Sequence, residues 1–498
     1  MGVLIGIDHG GSTTTAVIAS DDGLLLGRAS VPTQRRTPRA GWVEHDPESF
    51  VDGSLAAASA ALEAAGVSWR DVDALGIANQ GETSIAWDEA TGRMVGPALS
   101  WQDKRTSERC EQLRERGHGE TVERISGLSI NPYFSATKFS WLSKATDEAR
   151  AARVRGSLRV GGTDSFLIRC LTGGVHATDT STVSRTALMD LDTATWSSEL
   201  AALFDVPRSA LPDIRQSVSD FGRIDHPDVP AMGIPIAASI VDTNASQFLH
   251  ELWTPTVIKA TLGTGAFIET SAGPRPVRPD NGLAPFVGWH VGDDLRYVLE
   301  GSVYDVGAAV DWAVSMGISE SAEATAALAA SVDDTAGVLM VPAFSGLAAP
   351  HWDSGARASI TGLTLKAGKA HIARALLEGI GLAVAEAILL LAESAGHEKP
   401  EVAVDGGPSR NAFLMQLLAD LLGYPVRAIQ EPDITGLGAA CLAGVGVGAF
   451  GLSDLAELRP EAIMYRPRTN TSDREEKRQI WQAAVARVRE KSEEDGWS

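Results

Sequence analysis

Two stretches of this chain repeat one pattern, and they constrain the fold more than anything else in it. Val3–Ser20 runs through apolar Val3, Leu4, Ile5 and Ile7 into Asp8. It then turns through Gly10, Gly11 and the hydroxyl residues Ser12 to Thr15, and returns through Ala16, Val17, Ile18 and Ala19. Val257–Ser271 (VIKATLGTGAFIETS) does the same about 250 residues later. Short β-favouring runs around a Gly-rich turn predict a β-hairpin in each place. Such a turn lets backbone N–H groups and hydroxyls reach a phosphate, because glycine has no Cβ to block the approach. A single hairpin of this kind fits an ordinary α/β domain equally well. The repeat points to a duplicated architecture in which each half contributes a phosphate-facing turn. No GxxxxGK[ST] occurs, which excludes a Walker A loop.

At 498 residues the chain exceeds what one hydrophobic core usually serves, so two domains are expected. A formal net charge of −21 repels nucleic acid and anionic lipid, which sets aside DNA, RNA and membrane-surface roles. An anionic ligand such as ATP must then be met by local donors and Mg²⁺. Cys110, Cys170 and Cys441 are far apart with no CxxC pair, which suits a reducing compartment and argues against a zinc site. No apolar stretch reaches about 18 residues free of charge, so no membrane span is expected. The chain enters a strand at once, without a signal-like segment, and a cytoplasmic location is the expectation.

Along the chain, Glu48 to Ala65 predicts an amphipathic helix behind Pro47. Val72–Ala78 predicts a strand, followed directly by Asn79-Gln80-Gly81-Glu82-Thr83. Ile234–Ile240 predicts another, followed by Val241-Asp242-Thr243-Asn244. Polar clusters just beyond buried strands are where α/β proteins place ligand contacts. Further on, Ala322 to Ser331 reads as a plain surface helix and His371 to Ala395 as a long half-buried one. Ser409 is a plausible cap for a helix over Ala412–Leu422. Gly436–Ala449 is a small-residue helix suited to tight packing, and the charged helix beyond Thr469 reads as a solvated face.

Four segments carry a family resemblance: Gly41–Pro47 (GWVEHDP), Tyr133–Trp141 (YFSATKFSW), Ala358–Glu378 with its Gly362-Leu363 and Ala375-Leu376-Leu377-Glu378, and Asp405–Gln416 (DGGPSRNAFLMQ). In this order the chain resembles the FGGY carbohydrate kinase family, and within it the glycerol kinase branch, from about Ile5 to Gly451. The resemblance implies an α/β fold of two ribonuclease-H-like (actin/hexokinase-type) domains flanking a catalytic cleft. It places an N-terminal unit at 1–250, a C-terminal unit at 251–455 and a helical tail at 456–498.

The same resemblance implies the site. Asp242 would be the general base, although an Asp ahead of TNASQFL is also a common helix cap. Asp8 would lie at the Mg²⁺–phosphate end. Gly11, Ser12 and Thr13 form the first phosphate turn, and Gly263, Thr264 and Gly265 the second. Gly307 and Asp311 would adjoin the nucleotide, with Gly406, Gly407 and Asn411 beside adenine and ribose. The glycines have packing readings too, Gly307 in particular. The polyol would meet Gly81, Glu82, Trp101, Tyr133, Asp242, Thr243 and Phe267.

Several positions depart from that branch. Gly81 stands where it has Arg and Thr243 where it has Gln, while Thr15 and Asp311 replace an Arg and a Gln near the nucleotide. The expectation is that the guanidinium and carboxamide are gone, leaving room for a larger substrate. An ATP- and Mg²⁺-dependent kinase of a small polyol follows, with glycerol the first candidate and a four- or five-carbon polyol or ketose the alternative. A non-catalytic nucleotide-gated protein is disfavoured because Asp8 and Asp242 are both present. The basic loop that binds fructose 1,6-bisphosphate in some relatives is not matched at Asp225–Pro235. A homodimer or tetramer is implied.

Overall fold

Asp8 pairs with Thr15 across the first hairpin, where β1 (Val3–His9) runs antiparallel to β2 (Thr13–Ser20). The structure, a computed structural model, describes residues 2–495 except 232, 252, 253, 354, 432 and 459, with side chains to 490. A third antiparallel strand, β3 (Leu25–Pro32), flanks β2. On the other side β4 (Val72–Asn79) and β5 (Ile236–Val241) add in parallel, giving the order β5-β4-β1-β2-β3.

The second hairpin nucleates the same arrangement. Antiparallel to β6 (Val257–Leu262) runs β7 (Ala266–Gly273). Next come β8 (Ala284–Val291) and β9 (Asp294–Val303), antiparallel to each other with β9 beside β7. On the far side of β6 lie β10 (Glu401–Asp405) and β11 (Val426–Ile429) in parallel, closed by the antiparallel edge β12 (Ala462–Tyr465). Hairpin, third antiparallel strand and two parallel strands recur in the same order, as the repeated pattern predicts. Both sheets are mixed, and the chain is a two-domain α/β protein.

Helices cover the sheets through their apolar stripes. From the first half, α1 (Glu48–Ala65) buries Phe50, Leu55, Ala58 and Leu62. The short α2 (Thr180–Ser184) starts at Asp179, whose carboxylate accepts from the Ser181 and Thr182 amides at 2.9 Å. After β5 comes α3 (Asp242–Glu251), and after β9 comes α4 (Gly307–Ser315). The long α5 (Lys369–Ser394) is apolar and long enough to cross a membrane by length and composition alone. Arg374, Glu378 and Glu386 interrupt it, and its apolar residues Leu376, Leu377, Ile380 and Leu391 lie in the core of the second half.

Three local expectations are corrected. The helix α6 (Ala412–Leu422) is capped by Asn411, whose side chain accepts from the Leu414 amide at 3.0 Å, while the Ser409 hydroxyl donates instead to the Gly406 carbonyl. The helix at Ala324–Ala330 is no plain surface element, since Thr325 and Ala329 are fully buried. The tail α8 (Thr471–Asp495) is no solvated face either: Trp481, Ala484, Val485 and Val488 enter the second core, and the Trp481 indole donates to Glu386 at 3.1 Å.

The small-residue helix α7 (Ile434–Val447) follows β11 in the chain but leaves that sheet, lying against β1, β4, β5 and α3 of the first half. Gly436, Gly438 and Ala439 let its backbone approach theirs directly. A Cβ on Gly76 of β4 would stand 2.1 Å from the Ala439 carbonyl oxygen, and one on Gly438 would stand 2.3 Å from that of Ala245.

Candidate active site

The ends of β1, β4 and β5 and the turns of both hairpins point to one region between the sheets. In the first turn Gly10 N–H donates to the Thr13 carbonyl at 3.1 Å, leaving Ser12 and Thr13 exposed. Gly11 borders Gln80 and Trp101: a Cβ there would lie 3.6 Å from the Trp101 indole nitrogen. In the second turn Gly263 N–H donates to the Gly265 carbonyl at 2.7 Å, and Gly263 and Thr264 are exposed. This turn is seated on the start of α4, because the Gly307 amide donates to the Gly263 carbonyl at 2.9 Å. Gly307 is therefore required by packing as well: its Cβ would stand 2.6 Å from that same oxygen.

At the end of β10, Gly406 adopts φ +88° and a Cβ would fall 2.0 Å from the Leu262 carbonyl oxygen, whereas Gly407 faces open space. Asn411 spends its side-chain oxygen on capping α6. Asp311 lies exposed on α4 one turn beyond Gly307, and Thr15, the cross-strand partner of Asp8, turns its hydroxyl to Ser30 at 2.9 Å.

The carboxylates gather at the strand ends. Asp8 is pushed up to about 8 by burial and by the neighbouring charges of Asp242 and Asp433, with Lys259 opposing. Asp242 is also raised, first by burial, while the Thr243 amide and the charges of Arg185 and Lys259 pull it back. Its carboxylate accepts from that adjacent amide at 2.7 Å. Among the described residues it makes no bond to an amide two or three residues on, where a cap would point. The buried Lys259 reaches Asp405 at 3.8 Å and donates to the Thr243 carbonyl at 3.4 Å, linking β10 to the start of α3.

Next to Asp242 the polyol candidates converge. Trp101 meets Tyr133 and Phe267 edge-on, with both ring centroids 5.9 Å away. Lys138, buried, donates to the Tyr133 carbonyl at 2.6 Å and so fixes the aromatic loop. Glu82 sits beneath, pushed up to about 7 chiefly by burial, with Arg185 opposing and Glu300 adding to the rise.

The guanidinium expected to be missing is present. It comes from Arg185, at the C-terminal end of α2, and lies directly over Gly81. Its Nη1 donates to Glu82 at 3.1 Å, and its Nη2 to Glu300 at 2.7 Å, Glu269 at 3.0 Å and the Thr243 hydroxyl at 3.2 Å. The gap above Gly81 is thus filled by this chain's own side chain. Arg185, Glu269, Glu300 and Lys259 were missed in the sequence. For Lys259, Glu269 and Glu300 the available signal was a charged residue inside an otherwise uncharged run of a strand (VIKATL, AFIETS, YVLEGS), since charges are almost never fully buried unless paired; Arg185, at the end of α2, carries no such mark.

Residues 3–248 match the FGGY family of carbohydrate kinases, N-terminal domain, and residues 258–447 match its C-terminal domain. The chain belongs to the FGGY family of carbohydrate kinases. It is an ATP-dependent phosphotransferase of that family, similar to glycerol kinases. It is 40% identical over 490 residues to the glycerol kinase of Thermus brockianus, covering 98% of this chain and 99% of that protein. With the glycerol kinase of Bordetella parapertussis the identity is 41%, covering 97% and 96%. The fold matches a crystal structure of Plasmodium falciparum glycerol kinase with ADP at TM-score 0.90 and 29% identity, covering 98% of each chain. The xylulose kinase of Lactobacillus acidophilus shares the fold at TM-score 0.85 and 21% identity, covering 99% and 100%.

Proposed function

We propose that this FGGY kinase transfers the γ-phosphoryl group of ATP to a primary hydroxyl of a small polyol, with glycerol the first substrate. The observation that carries this reading is Arg185 over Gly81. It returns a guanidinium to the pocket and occupies the space a longer substrate would need. Glu82, Trp101, Tyr133, Thr243 and Phe267 would hold the polyol, and Asp242 would take the hydroxyl proton as the oxygen attacks in line. Gly11 to Thr13 and Gly263 to Gly265 would hold the triphosphate, with Gly307, Gly406, Gly407 and Asn411 toward the nucleoside and Asp311 at the rim.

Asp8 suits Mg²⁺. Its carboxyl is raised by burial and by the charges of Asp242 and Asp433, which Lys259 offsets only in part, and the described residues offer no cluster of three ligands. Mg²⁺ is usually held by one or two carboxylates together with substrate phosphates. Bound there, it would neutralise charge on the phosphoryl oxygens. Units at 1–250 and 251–455 with a tail at 456–498, a cytoplasmic location and a dimer or tetramer complete the proposal.

The test is coupled ADP release with MgATP against glycerol, erythritol, xylitol, ribitol, dihydroxyacetone and xylulose. Glycerol should give the highest kcat/KM. A four- or five-carbon compound ahead of glycerol would replace the substrate and leave the kinase reading in place.

A further inference from the structure

Gly81 and Arg185 are structurally interdependent. A Cβ at position 81 would stand 2.8 Å from Arg185 Cδ and 3.6 Å from Nε. That contact is with the stem of a side chain anchored at its far end, so it cannot be relieved by swinging a free tip. The guanidinium is held by Glu82 and Thr243 from the first half and by Glu269 and Glu300 from the second. Its face lies 4.1 Å from the Phe286 ring centre. Glu269 and Glu300 are direct cross-strand partners in β7 and β9. The Arg185 Nε and one Glu269 oxygen are buried without a hydrogen-bond partner.

We infer that Arg185 is a positioning residue of the polyol site, which holds Glu82 ionised and oriented to accept hydrogen bonds from substrate hydroxyls while closing the space over Gly81 against longer substrates. This rests on the polyol-kinase reading above. The physical reason is charge balance. One guanidinium serves three buried carboxylates, Glu82, Glu269 and Glu300, and such groups take up protons when their countercharge is removed. A protonated Glu82 becomes a donor and offers the hydroxyls one acceptor fewer. Lysine cannot replace this function, because an ammonium lacks the planar fork that spans four acceptors. The charged groups facing Glu82 are Arg185, Glu300 and Lys138, with Tyr133 and Asp242 beside them; Glu269 faces Glu300, Arg185 and Lys259.

A role confined to tying the two halves together predicts something different: equal damage to both substrates. The experiment therefore separates them. Glycerol and ATP kinetics and mant-ADP affinity are measured for the wild type, Arg185→Lys, Gly81→Ala and Glu269→Gln, with kcat/KM for glycerol followed against pH. Arg185→Lys and Gly81→Ala should raise the glycerol KM roughly ten- to a hundredfold, the cost of hydrogen bonds to a charged group, with mant-ADP affinity unchanged within about threefold. The acid limb of the pH profile should move up in Arg185→Lys, which displaces the countercharge beside Glu82, and stay in place in Glu269→Gln, which replaces a group already protonated below about pH 8. If Arg185→Lys fails to fold, the glycerol KM and mant-ADP affinity of Gly81→Ala decide the matter alone.

An unchanged glycerol KM, a parallel loss of nucleotide affinity or an acid limb unmoved in Arg185→Lys overturns the inference while leaving the kinase reading intact. A wild-type chain that phosphorylates no polyol or ketose overturns both.

Discussion

Gly6 of β1 and Gly436 of α7 meet backbone to backbone: a Cβ on Gly6 would stand 1.9 Å from the Gly436 carbonyl oxygen. This contact fastens a helix from the second half of the chain to the strand that carries Asp8. The obstacle is a carbonyl within a packed helix, and no flexible side chain is available to move aside.

Gly6→Ala is therefore expected to destabilise the protein by about 3 kcal/mol, at the upper end of overpacking effects. Urea unfolding followed by tryptophan fluorescence would measure it. A midpoint equal to wild type would show that α7 is less closely seated than the structure has it.

Gly307 supports the second phosphate turn from below, with its amide on the Gly263 carbonyl. In Gly307→Ala the methyl must displace that turn, so the KM for ATP should rise about tenfold while the polyol KM holds. Initial-rate kinetics with each substrate varied in turn read out the split. Equal changes in both would point to general distortion.

Asp242→Asn keeps the shape of the site and removes its proton acceptor. The expected loss in kcat is about a hundredfold to ten-thousandfold, the usual contribution of a general base, with mant-ADP affinity retained. Near-normal turnover would end the assignment of Asp242.

Stability should depend on pH with a definite sign. Glu269 and Glu251 are pushed up to about 8 and Glu82 to about 7, chiefly by burial. The unfolded chain releases these protons near 4.5, so above that pH the folded chain binds more protons and stability falls as pH rises toward 8. His9 and His250, pushed down to about 3 by burial, act oppositely but only below their ordinary 6.5, where the unfolded chain is the one to bind protons. Between pH 6.5 and 8 these carboxyl groups lead, opposed toward pH 8 by Lys138, which burial pushes down to about 8. The thermal midpoint without substrates should decline across that window, and less steeply in Glu269→Gln. A rising midpoint would contradict the buried carboxyl network.

Trp481→Ala should cost about 3–5 kcal/mol through the cavity it leaves, and more for the Glu386 carboxylate stripped of its indole donor. Thermal unfolding gives the value. A shift under 1 °C would restore the tail to the solvent.

Both hairpins, the strands leading to Gly81 and Asp242, and the Gly-rich turns were legible in the sequence because each is specified locally. Apolar alternation and glycine position act over a few neighbouring residues, and the four family segments lie within such stretches. What tertiary structure alone decided joins residues far apart in the chain. Glu82 and Arg185 are 103 residues apart and Arg185 and Glu300 are 115 apart, so no local pattern announces that a guanidinium will settle over Gly81. The same holds for α7, whose small residues foretold close packing without saying against which sheet. Trp481 stands amid charged neighbours that describe the exposed side of its helix, and only its packing into the second core beside Glu386 makes the other side a core face. Local chemistry chose the elements; the burial of charge and backbone between distant segments decided which residues line the site.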